Sequence, residues 1–163
     1  MKPIKAEFIN FDEATIQYLH KAIGVYVIWS SSNARHPKYI GRGKLLQRLA
    51  DSEKRCPSTW EGTVCVLGYG ADSAAEKEAC IVENALLMIA DQTNRFPKDN
   101  SHSAIECKSA IRTILTHNQV RINFAGRNPL YPPNRPKMSS RQSATLFYDD
   151  VDEEILIEHN WRS

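Results

Sequence analysis

The sequence predicts an α+β fold, and three features carry that prediction. A β-branched and aromatic segment from Val25 to Trp29 is followed, after a turn-rich stretch, by a shorter one from Lys38 to Gly41. An apolar run bounded by glycines spans Gly62 to Gly70, and apolar residues recur at helical spacing from Ser73 to about Gln92. The 163 residues suit one compact domain, and a composition of 42% hydrophobic and 25% charged residues excludes a disordered or collagen-like chain. No run reaches the roughly 18 apolar residues of a membrane helix. The start, Met1 to Glu7, lacks the apolar stretch of a secretion signal, so a cytoplasmic protein with no membrane partner is expected.

The elements follow in order. Asp12 to Lys21 reads as a short helix whose acidic first turn and basic last turn suit the helix dipole, and Gly24 ends it. Val25 to Trp29 and Lys38 to Gly41 then form a hairpin with Ser30 to Pro37 as its loop. Lys44 to Lys54 carries Leu45, Leu46, Leu49 and Ala50 at helical spacing, and Gly62 to Gly70 reads as a central strand buried on both faces. In the long helix Ala75, Ala79, Val82, Leu86 and Ile89 recur at steps of four and three. Ser103 and Glu106 have the spacing of a capping box that opens a helix ending near Asn118. Val120 to Phe124 and Thr145 to Tyr148 read as strands, and Val151 to Trp161 as helix or strand. Between them Gly126 to Arg141 holds Pro129, Pro132, Pro133 and Pro136 and no acid, which makes it a loop or an arm. Cys56, Cys65, Cys80 and Cys107 form no C-x-x-C pair and read as buried free thiols, not as a zinc site or disulfides.

The net charge of +2 conceals local excesses. Seven Lys or Arg stand against Asp51 and Glu53 between Arg35 and Arg55, and nine against Asp99 and Glu106 between Arg95 and Arg141. The last fifteen residues reverse the sign, with Asp149, Asp150, Asp152, Glu153, Glu154 and Glu158 against Arg162. Two basic stretches in a near-neutral chain are either a face for a polyanion or a solvated surface.

The hairpin contains Gly24-Val25-Tyr26 and, after twelve intervening residues, Tyr39-Ile40-Gly41. This pair of triplets resembles the signature of the GIY-YIG nuclease family, with valine in place of the first isoleucine. The companions follow in order: a helix with Arg48, a strand, and a helix with Glu83. The resemblance covers Gly24 to about Pro97. It implies a small, mainly antiparallel three-stranded sheet flanked by helices, and hence a division into an N-terminal helix and lead-in (1–23), a nuclease core (24–100) and a C-terminal helix, basic proline-rich arm and acidic tail packed on that core (101–163). The step from Gly41 to Arg48 is one residue shorter than the family's usual spacing, which implies a tightened strand-to-helix turn.

Residue chemistry bears on the same positions. Tyr26 and Tyr39 share a sheet face if paired positions sum to an odd number, and that register is expected. Taken alone, two such tyrosines read more simply as ordinary aromatic sheet residues. Glu83 has Ala79, Cys80, Leu86 and Leu87 as its helical neighbours, so its carboxylate needs a metal ion or a paired arginine if that side is covered. Arg48, between Lys44, Leu45, Asp51 and Ser52, occupies a position that suits solvent, and its candidacy comes from the resemblance. Arg42 is the alternative, with Lys44 near it. Asn94 resembles an asparagine that family members place after the glutamate helix, with Asn84 and Asn100 as rivals.

The resemblance implies a metal-dependent DNA endonuclease, with a restriction enzyme as one form. In it Tyr26 activates water, Tyr39 positions water or phosphate, and Arg48 binds phosphate oxygens. Glu83 alone holds the metal. A lone carboxylate suits Mg²⁺, with Mn²⁺ as a substitute, better than zinc. Arg127, Tyr131, Arg135, Lys137 and Arg141 interleave basic and aromatic groups as a nucleic-acid contact, most simply to double-stranded DNA, or else belong to a tethering loop. The acidic cluster is a second metal site, the start of a terminal helix, or a cover for the basic arm. Cutting both strands would favour a homodimer. The other readings are a nucleic-acid-binding protein that does not cleave and a protein-interaction domain.

Overall fold

The computed structural model describes residues 2–14, 16–31, 33–55, 61–105, 109–115, 119–138 and 141–161. Seven strands, β1 (Ile4–Asn10), β2 (Ala22–Trp29), β3 (Tyr39–Lys44), β4 (Glu61–Tyr69), β5 (Val120–Gly126), β6 (Gln142–Asp149) and β7 (Glu154–His159), join in the order β3-β2-β4-β1-β5-β6-β7. This corrects the expected small three-stranded sheet. The sheet is mixed and curls into a half-barrel, because β1 pairs antiparallel with β4 and parallel with β5 and so carries the ladder onward into the C-terminal region.

The added strand has a physical reason in its pattern. Ile4, Ala6 and Phe8 are buried while Lys5 and Glu7 are exposed, a period of two that gives β1 one core face and leaves both its backbone edges for partners. The helix expected over Asp12 to Lys21 shrinks to a 3-10 turn at Phe11–Glu13 and the single turn α1 (Ile16–Leu19), since the chain must reverse there from β1 into β2.

All eight residues of β2 are buried, because both of its faces are covered. Ile23, Val25, Val27 and Trp29 join the larger core cluster under α3 (Ser73–Gln92), and Ala22, Tyr26 and Ile28 join a smaller one with Leu45 of α2 (Leu45–Arg55). Asp72 caps α3 by accepting from the backbone N–H groups of Ala74 and Ala75 at 3.0 and 3.1 Å. The expected stripe Ala75, Ala79, Val82, Leu86 and Ile89 is buried along its length. β4 is covered on both faces only from Gly62 to Cys65; from Val66 onward it is half-exposed or exposed.

The C-terminal half resolves several open readings. Helix α4 spans Ser109–Leu115; Ser103 sits in a 3-10 turn at His102–Ile105, and Glu106, its expected capping partner, lies outside the described residues, as do Cys56 and Cys107. Cys65 and Cys80 are buried free thiols, and burial pushes the Cys65 thiol up from its ordinary value. Val151 to Trp161 is mostly strand: β6 and β7 form a hairpin, and the acidic residues make its turn, not the start of a helix. No helix among the described residues is long and apolar enough to cross a membrane.

Candidate active site

The β2–β3 register pairs Tyr26 with Gly41, Val27 with Ile40 and Ile28 with Tyr39, the odd-sum register expected from the sequence. Tyr26 and Tyr39 therefore share the face that α2 covers, with ring centroids 6.0 Å apart. Gly41 makes room for them. A Cβ there would stand 2.4 Å from the Tyr26 hydroxyl and 2.7 Å from the Tyr39 ring, so the triplet needs glycine for space and not for an unusual backbone angle. β3 passes into α2 with no residue between Lys44 and Leu45, which is the tightened turn implied by the short Gly41-to-Arg48 spacing. Gly43 enters that turn with φ of +129°, a region that disfavours side chains, and the Arg48 side chain lies over it, with Nε 3.1 Å from where a Cβ would stand.

On the opposite face, Ile40 packs into the core beneath α3 and Arg42, two residues on, points the same way. Its Nε lies 3.6 Å from Oε1 of Glu83, whose side chain is 15% exposed against 30% for Arg42. The cation that the apolar surroundings of Glu83 demand is thus met by an arginine from β3. Tyr26 and Tyr39 thus lie on one face of the sheet and Arg42 and Glu83 on the other, with β3 as the outermost strand. Tyr26, Tyr39, Arg42, Arg48 and Glu83 line one open cleft of about 300 Å³, together with Ile40 and Asn100.

Asn100 is the asparagine of this cleft, and Asn94 is not. Asn94 has φ of 59° directly after the C-cap residue Thr93, where its left-handed backbone ends α3. Asn84 is buried inside α3, where its amide donates to the Cys80 carbonyl at 2.9 Å. Asn100 instead imitates a strand neighbour: its Oδ1 accepts from Ile40 N–H at 2.9 Å and its Nδ2 donates to the Ile40 carbonyl at 3.0 Å. Upstream, Lys98 N–H donates to Pro37 O at 3.1 Å and Asp99 N–H to Lys38 O at 2.9 Å, so residues 98–100 cover the start of the β3 edge and stop at the cleft. The signal for Asn100 was a pairing across sixty positions, which no local pattern reveals. Lys44 lies elsewhere, exposed beside a separate pocket with Leu19, Ala22 and Leu46.

The basic segment is a packed loop. Pro129, Leu130, Pro132 and Pro133 are buried, and Met138 N–H donates to Gly126 O at 2.9 Å. Arg127 is turned inward, donating through Nη1 to Arg135 O at 3.1 Å, and Tyr131 lies under the Arg95 guanidinium at 4.1 Å. These two hold the loop together, while Arg135, Lys137 and Arg141 face solvent. Arg95 also donates to Arg35 O at 3.2 Å and Leu130 O at 3.4 Å, tying this loop to the one that leads into Tyr39. The sheet pairings put the C-terminal ends of β1, β2 and β5 and the start of β3 at one end of the strands, so the basic loop and the cleft share that end.

The acidic turn is at the other end, roughly 24 Å away along β6 at the rise of an extended strand, so it does not cover the basic loop. Carboxylate oxygens of Asp149, Asp152 and Glu154 gather there within 4.8 Å of one another. Val151 N–H donates to Asp149 Oδ1 at 2.9 Å, the bond of a local turn, and Asp150 and Glu153 are outside the group. A larger cleft of about 420 Å³, between Asn10, Phe11, Gly62, Pro133 and Asn134, is lined by Asp12 and Glu61 and, among the described residues, by no cation, which suits a phosphate poorly.

The donor chemistry of the β3 cleft fits a hard divalent cation. A half-buried carboxylate and two phenols line an open cleft to which water has access, and no histidine or cysteine lines it among the described residues. Comparison with protein-family models, curated proteins and solved structures finds no match for this chain.

Proposed function

We propose that this protein is a Mg²⁺-dependent DNA endonuclease of the GIY-YIG type. The observation that carries the reading is that Tyr26, Tyr39, Arg48 and Glu83, from four elements and two faces of the sheet, line a single open cleft of about 300 Å³. The solvent-facing Arg135, Lys137 and Arg141 at the same strand end support a duplex substrate.

Hydrolysis of a phosphodiester needs an aligned oxygen nucleophile and neutralisation of charge on phosphorus. Arg48 is exposed at the cleft and offers a planar fork to two non-bridging oxygens, which lysine could not match. Tyr26, 4% exposed, is held rigidly enough to orient a water for in-line attack, and Tyr39 beside it fixes the water or the phosphate. A phenol, with an ordinary pKa of about 10, becomes a useful base only near cations. Arg42 and Arg48 supply two at the cleft. Glu83 would hold the Mg²⁺, or Mn²⁺ in its place, which when bound polarises a phosphoryl oxygen and stabilises the leaving oxygen.

The test is incubation of supercoiled plasmid with wild type and Glu83→Ala, with and without Mg²⁺. Nicking or linearisation by wild type with Mg²⁺ only, reduced at least about a thousandfold in the variant, is the expected result. Equal cleavage by both proteins removes Glu83 from the mechanism.

A further inference from the structure

Among the described residues, the charged lining of the cleft is two guanidinium groups, Arg42 and Arg48, against one carboxylate, Glu83. The net single positive charge attracts a phosphate and repels a bare divalent cation. Glu83, moreover, already has a counter-ion. At 3.6 Å the contact from Arg42 Nε to Glu83 Oε1 is an ion pair just beyond hydrogen-bond reach, between side chains that are both partly open to the cleft. Such a pair exchanges easily, and an arginine engages a phosphodiester through two parallel charge-assisted bonds more strongly than it engages a carboxylate at this distance.

We propose that Arg42 is a latch on Glu83, a positioning residue that makes metal binding conditional on DNA. Without substrate, Arg42 neutralises the carboxylate and lowers its affinity for Mg²⁺. An arriving phosphate draws the guanidinium away and cancels the excess positive charge. Glu83, set among Ala79, Cys80, Leu86 and Leu87, is then open to a metal cation in the place of the guanidinium. Binding of DNA and of metal is therefore cooperative, and by linkage each tightens the other by the same factor. The consequence is an enzyme whose metal assembles on the substrate, so that the unoccupied site carries little metal. This inference rests on the nuclease reading, and the experiment separates the two.

The measurement is Mn²⁺ binding, followed by the electron paramagnetic resonance of free Mn²⁺, with and without a short DNA duplex. Full-length protein carrying Tyr26→Phe serves as the background, so that the DNA stays intact. With Arg42 in place, the duplex tightens Mn²⁺ binding at least about tenfold. Adding Arg42→Gln tightens binding in the absence of DNA by about fivefold and cuts the gain from DNA to below about threefold, while Arg42→Lys, which keeps the charge, retains most of that gain. Unchanged affinity in Arg42→Gln without DNA, or an undiminished gain from DNA, overturns the latch and leaves the nuclease reading standing. Mn²⁺ binding that Glu83→Gln does not weaken overturns both. Circular dichroism of each variant, matching the parent, excludes misfolding as the cause.

Discussion

The two edges of the sheet are finished in opposite ways. Along β3, the turn at residues 98–100 covers the edge and ends with the two hydrogen bonds of Asn100 to Ile40, and the cleft opens where that cover stops. Along β7 the outer residues are charged, with Glu154 and Glu158 exposed, and His159 and Asn160 fasten only its last turn. Charge at an edge discourages pairing with another chain without building anything. A cover that stops short leaves backbone and side chains within reach of a ligand while preventing the edge from extending. The candidate cleft lies at the edge that is partly closed.

The largest way to break this contrast is Gly41→Ala. The added methyl group would meet both tyrosines, and it belongs to the covered edge. A loss of about 1–3 kcal/mol in denaturant unfolding is expected from overpacking, with plasmid cleavage reduced about a hundredfold because the phenols are displaced. Cleavage at the wild-type rate would mean that the tyrosine geometry is not critical. Asn100→Ala comes next. Removing the side chain leaves the Ile40 N–H and carbonyl unpaired at a half-buried position, a cost of about 1–3 kcal/mol. Faster amide exchange at Ile40, with β2 unaffected, would locate the effect at the edge.

The smallest effect belongs to β7 and sharpens the comparison through pH. His159 is held neutral: its Nε2 contacts Gln92 Oε1 at 2.8 Å and its Nδ1 accepts from Trp161 N–H at 3.1 Å, so Nε2 carries the proton. Burial lowers its pKa below the ordinary histidine value. The unfolded chain then binds a proton more readily than the folded one, so this stability is full above about pH 6.5 and is lost as pH falls through the folded value. Thermal unfolding between pH 7.5 and 5 should show a shallow loss that His159→Gln flattens. An identical slope in the variant would assign the titration to another group.

Much of the site was legible because its signals are local. The triplets set β2 and β3, side-chain alternation set the register of the two tyrosines, and the apolar neighbours of Glu83 announced a counter-ion. The breadth of the sheet was harder to read. Ile4, Ala6 and Phe8 alternate as a strand should, but the pattern is short and includes alanine, a weak strand former, and its partner β5 is far along the chain. β7 was ambiguous for another reason: Ile155, Leu156 and Ile157 make a short apolar run that suits a strand, but the acids before them also suit the first turn of a helix. Asn94 looked better than Asn100 because sequence spacing cannot distinguish an asparagine that ends a helix from one that pairs with a strand sixty positions away.

The parallel seam between β1 and β5 bears on how the molecule comes into being. Ile4 faces Ile122, so β1, made before the other strands of this sheet, waits until β5 has been synthesised before its second neighbour exists. The β2, β3 and β4 ribbon, with its short connections, is able to assemble early. Closing the long loop to β5 carries the larger entropic barrier, and such non-local pairing slows folding. The strand that joins the two halves is therefore the last to be satisfied on both sides, and a nascent chain halted before Val120 would hold the cleft residues on a sheet whose inner edge is still bare.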